Sequence, residues 1–386
     1  MRWTLRWLAL LALVSPASAH DQLIAPGSTW KYRDNGVDLG TSWRNASFND
    51  SSWSSGPAQL GYGDGDEQTV VSYGPSASNK YITTYFRKQF TVANPALYQS
   101  LSVHLLRDDG AAVYVNGVEI VRSNLVANAP VVFNSFAPVA VANSDEDRFF
   151  PFYAPSSMLV AGTNVIAVEI HQNSVTSSDI SLDLELIGNT TEVLARGPYL
   201  QLATPTSALV RWRTDHPVAS RVAYGSSPGA LTNWIDDPAL VTEHEITLGG
   251  LVAGARTYYS VGSPTVVLAP GDPAQFVAPA PVAGSTDPFR AWIIGDAGTG
   301  DASQASVRDA YATWTGATAT GLWLMLGDNA YDTGSDEEYQ SAVFDMYGAL
   351  LRKSPLWATR GNHETLAAVY SSIFSLPSGG ECGGVP

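Results

Sequence analysis

The chain has 386 residues, 45% of them hydrophobic and 15% charged, enough for two or three domains with substantial cores. A formal net charge of −15 excludes a general polyanion binder such as a nucleic-acid protein, so a phosphate-bearing ligand would need a local positive charge such as a metal ion. The single cysteine, Cys382, excludes an internal disulfide.

Residues 1–19 read as an export signal. Arg2 and Arg6 form a basic start, Trp7 to Val14 an apolar core, and Ala17-Ser18-Ala19 a small-residue cleavage site. The expected location is secreted or periplasmic. No later run is long and apolar enough to span a bilayer.

Residues 20–190 read as an all-β sandwich. Segments such as TTYFRKQFTV, AAVYVNGVEIVR and ISLDLELIG alternate in polarity between clusters of Gly, Asn, Asp and Ser. Asn116-Gly117 and Asp108-Asp109-Gly110 are turn signals, because glycine accepts positive φ. WRNASFNDSSW and LLRDDGAAVYVNG resemble the galactose-binding-like jelly rolls attached to secreted hydrolases. Trp43 and Trp53 are read as core, with stacking on a sugar as the alternative. The run Asp64-Gly65-Asp66-Glu67 is read as a solvated turn, with calcium as the alternative.

Residues 191–279 form a second β module. In RGPYLQLATPTSALVRWRTD, Val210 and Trp212 share one face and Arg211 and Arg213 the other. A linker rich in Ala and Pro follows.

Residues 287–386 change texture. FRAWIIGD, GLWLMLGD and PLWATRGN are short apolar strands separated by helical patterns. Asp301 with Gln304, and Ser335 with Glu338, mark the two helix starts. A β-α-β-α-β order predicts a parallel sheet covered on both faces. Ligand sites of such sheets lie at the carboxyl ends of the strands. Here those ends carry Gly295-Asp296-Ala297-Gly298, Gly327-Asp328-Asn329-Ala330-Tyr331 and Gly361-Asn362-His363-Glu364. Clustered hard oxygen donors suit a highly charged cation, and a phenol needs a strong Lewis acid to bind as phenolate.

GDAG, GDNAY and GNHE in this order resemble the first three motifs of the purple acid phosphatases, a branch of the calcineurin-like metallophosphoesterases. The RGPYLQ and VRW segments of the second module resemble the fibronectin-like domain that precedes their catalytic domain. The resemblance implies a dinuclear centre of Fe(III) and a divalent ion (Zn, Fe or Mn). In it Asp296 and Tyr331 would bind iron, Asp328 would bridge, Asn362 would bind the divalent ion, and His363 would serve the phosphate or leaving group. It implies a secreted acid phosphatase hydrolysing phosphomonoesters through two metals about 4 Å apart. The family's histidine-bearing motifs are missing after Glu364. The chain is therefore expected to be a truncated phosphoesterase domain behind two sandwiches, with doubtful activity. The alternative is a secreted carbohydrate or cell-surface binding protein with a non-catalytic phosphoesterase remnant.

Overall fold

The computed structural model describes residues 20–377 except 142–144, 279, 281, 283 and 287. The export signal and Cys382 lie outside the described residues. The protein is multidomain and mostly β.

The N-terminal part is a sandwich of two six-stranded sheets. One sheet centres on the strands Ser100–Asp108 and Ile180–Asn189, the other on Thr83–Val92 and Gly162–His171. Alternating side chains of both sheets meet in one core that includes Trp30, Phe86, Leu105, Val113, Ile166 and Leu184. Asn116 and Gly117, both at positive φ, make the tight turn between Gly110–Val115 and Val118–Ser123. Trp43 and Trp53 are buried against Tyr85 and Tyr114, so they are core and offer no sugar platform.

The second module is built on the long strand Ser207–Gly225, which pairs with Leu194–Thr204, Asn233–Gly249 and Thr257–Gly262. Val210 and Trp212 fill its core as the alternation predicts. The opposite face is not left to solvent. Arg211 donates to the carbonyls of Ile373 (2.5 Å) and Ser372 (2.6 Å), and Arg213 forks onto Asp336 at 2.5 and 2.9 Å. Tyr199 adds a hydrogen bond to the Ile373 carbonyl at 2.7 Å. This module is thereby joined to the C-terminal unit through guanidinium groups, whose planar forks suit carbonyl and carboxylate oxygens.

The C-terminal unit has three parallel strands in chain order, Ala291–Ile294, Leu322–Met325 and Leu356–Ala358. The helix starts are as the sequence indicates. Asp301 accepts from the Gln304 amide at 2.9 Å, and Ser335 and Glu338 form a reciprocal capping box. Coverage of the sheet differs from expectation. Right-handed crossovers between strands laid down in one direction put both intervening helices on the same face. Trp292 stacks on Tyr311 of the first helix, and Trp323 meets Tyr347 of the second. The other face carries Ile293, which is 56% exposed, and runs out to Leu326, which is 57% exposed. Only one face is covered among the described residues.

Candidate functional site

The three strand tips meet backbone to backbone. A side chain at Gly298 would strike the Ala330 nitrogen at 2.4 Å, and one at Gly361 would strike Asp328 Oδ1 at 2.0 Å. Glycine is needed at both positions for this close approach. The tips are tied by Asp296 N–H to the Gly327 carbonyl (3.1 Å) and Tyr331 N–H to the Gly298 carbonyl (2.9 Å). Asp296 and Asp328 both hold φ of 53°, a left-handed conformation that aspartate tolerates and that recurs at strained functional turns.

Asp328 is buried and accepts from the His363 amide at 3.1 Å. The rings of Tyr331 and His363 meet edge to face at 4.6 Å. Burial, with Asp328, Asp296 and Glu364 nearby, raises the Tyr331 phenol above its ordinary pKa. His363 Nδ1 lies 3.1 Å from the Asp332 carbonyl. A carbonyl only accepts, so Nδ1 carries a proton. The structure thus groups Asp296, Asp328, Tyr331 and His363. Asn362 stands exposed on the third tip beside His363.

One residue of this site was not assigned a role from sequence. Glu364 is 1% exposed and accepts from the amides of Asp328 (3.1 Å), Asn329, Ala330 (3.3 Å) and Gly361 (2.5 Å). Its carboxylate clips the second tip to the third. Its position in GNHE was the available signal, but nothing local says that the carboxylate turns inward.

The donor set does not fit two metal ions. Two carboxylates, a phenol and an amide supply oxygen only, and Glu364 is spent on backbone amides. The other histidines among the described residues have partners elsewhere or lie far along the chain. His104 meets Glu185, His171 meets Thr83, His216 meets Asp215, His244 meets Thr214 and Ser220, and His20 begins the N-terminal sandwich. No imidazole therefore joins His363 to complete a second coordination sphere.

Beside the tips lies a cleft of about 660 Å³ shared with the N-terminal sandwich. Its walls include Arg107, Arg122, Asn124 and Asp145 from the sandwich, facing Tyr331 and Glu338. Arg107 and Ser123 bind Glu337 across its floor at 3.0 and 2.7 Å.

No family model matches the chain, and no curated protein matches it. Solved structures do. A β-glucuronidase from an uncultured Clostridium sp. is 12% identical, with 93% of this chain and 65% of that one covered and a TM-score of 0.42. A Faecalibacterium prausnitzii β-glucuronidase is 12% identical, with 89% and 61% covered and a TM-score of 0.41. A Ruminococcus gnavus β-glucuronidase in complex with D-glucuronic acid is 12% identical, with 92% and 62% covered and a TM-score of 0.38. The chain spans under two thirds of each of these relatives.

These matches correct the expectation drawn from the three motifs. The similar structures named are glycosidases, and no family model supports a purple acid phosphatase or calcineurin-like metallophosphoesterase. The acid phosphatase activity and the phosphomonoester substrate are not supported. The physical reason lies in the tips. GDAG, GDNAY and GNHE specify how three strands end and pack, and that geometry is compatible with more than one chemistry.

Proposed function

We propose that the chain is a secreted carbohydrate or cell-surface binding protein, with its ligand in the cleft between the N-terminal sandwich and the strand tips. The observation that carries this reading is the composition of that cleft. Sugars present hydroxyls that both donate and accept, on a ring with weakly apolar faces. Guanidinium, amide and carboxylate groups around two aromatics, Tyr331 and Phe150, match that chemistry. Asp296, Asp328, Tyr331 and Asn362 would hold a single hard cation at the rim.

The test is a glycan array and a cell-wall pull-down with the intact chain. Tyr331→Ala should weaken captured glycan about tenfold, the scale of one lost aromatic contact. A blank array and a blank pull-down, or binding indifferent to Tyr331→Ala, would remove the ligand from this cleft. The cation is read separately. Loaded with ferric iron, the protein should absorb in the visible through the phenolate, and Tyr331→Phe should lose that band. A band that survives would take Tyr331 out of the donor set.

A further inference from the structure

A second group of carboxylates lies in the N-terminal sandwich, away from the strand tips. Ser181 pairs with Asp108 on one neighbouring strand and with Gly61 on the other. This register brings Asp64, Asp108, Asp109 and Asp179 to one edge of the sheet. Asp108 is 0% exposed, and both its carboxylate oxygens are buried without a hydrogen-bond donor. The carboxylates of Asp109 and Asp179 lie within hydrogen-bonding reach of it, but as carboxylates they too only accept.

Asp109 is satisfied elsewhere. It accepts from the amides of Val141 (2.8 Å) and Asn173 (2.7 Å) and from Ser177 Oγ (3.0 Å). Asp179 in turn reaches Asp64, which accepts from Ser181 Oγ at 3.2 Å. Asp64 also groups with Asp66 and Glu67, one ligand atom of each lying within 4.8 Å of the others. The nearby ammonium of Lys80 is bonded to the carbonyls of Ser177 and Ser178. Burial, then Asp109 and Asp179, push the Asp108 carboxyl up to about 10. Burial and Asp179 push Asp64 up to about 6. As a carboxylate, with two idle oxygens facing other acids, this buried group is costly. A cation between them removes that cost.

We propose that Asp64, Asp108 and Asp179 bind a calcium ion at this edge of the N-terminal sandwich, beside the Ser181 hydroxyl. Every donor is a hard oxygen, which disfavours zinc. The donors come from three separate segments in an irregular array, which suits the flexible coordination of calcium better than the octahedron magnesium demands. The ion would join the Gly63–Glu67 turn to the end of the Ser100–Asp108 strand. That replaces the solvated turn expected from the sequence.

The test uses the full chain stripped with EDTA and titrated with calcium chloride, followed by calorimetry and by thermal unfolding. Terbium serves as an optical probe, since the Tyr62 hydroxyl lies in the field of Asp179, Asp108 and Asp109 and can sensitise it. Saturating calcium should raise Tm by about 5 °C. Asp108→Asn, uncharged and of the same shape, and Asp179→Asn should each weaken binding more than tenfold. Asp236→Asn, a surface acid paired with Arg221 on the second module and part of neither site, should leave the calcium response unchanged. If Asp108→Asn does not fold, the half-buried Asp179→Asn carries the test. No heat and no Tm shift in the parent chain would overturn the proposal. So would a response that survives Asp179→Asn or disappears in Asp236→Asn.

Discussion

Removing the Glu364 carboxylate should release the second strand tip. Its four amide donors include three on buried residues, Asp328, Asn329 and Ala330. A buried donor left without a partner costs about 1–3 kcal/mol. Glu364→Ala opens space for a water that can satisfy part of this, so a loss of about 4 kcal/mol is expected for the C-terminal unit. Glu364→Gln keeps one acceptor oxygen but turns an NH2 toward the amides formerly bound by the other. That costs about 2 kcal/mol. Several modules unfold in this chain, so a single global midpoint is a poor readout. Hydrogen exchange at the amides of residues 328–330 and 361 reads the clip directly. Glu364→Ala should accelerate it by about a hundredfold or more. Unchanged protection in Glu364→Ala, with unchanged urea resistance of the tryptophans at 292 and 323, would show that the carboxylate does not hold the tips.

A second expectation concerns pH. His244 is 0% exposed, lies between Thr214 and Ser220 and stacks on Trp212, and burial lowers its pKa from 6.5 to about 4. Folded protein then binds fewer protons than unfolded chain between these values. Its contribution is complete above pH 6.5 and is lost as pH falls toward about 4, in total about 3 kcal/mol for the second module. Urea midpoints from pH 7 to 4 should fall in the parent and less steeply in His244→Gln; parallel curves would refute the assignment. Ile293→Lys, on the open face of the parallel sheet, should change stability by no more than about 0.5 kcal/mol and reduce aggregation measured by light scattering. A large destabilisation would mean that this face is covered in solution.

Local signals were legible in the sequence. Alternation marked the strands of both β modules, Asn116-Gly117 marked a hairpin, and Asp301 and Ser335 marked helix starts, because period and turn chemistry act within a few residues. The three tips were also legible, as Gly-Asp and Gly-Asn pairs ending apolar strands. The chemistry assigned to those tips was not secure, since a motif names a backbone shape and its donors but not the partners that complete a site. Tertiary structure alone decided which side chains face one another. It made the face of Arg211 and Arg213 a joint, and it left one face of the parallel sheet open through the hand of the crossovers. It aimed Glu364 at four amides and brought Asp64, Asp108 and Asp179 together from three segments. Such contacts are set by strand register over long separations, where a shift of one residue turns every side chain to the other face, so no window of sequence encodes them.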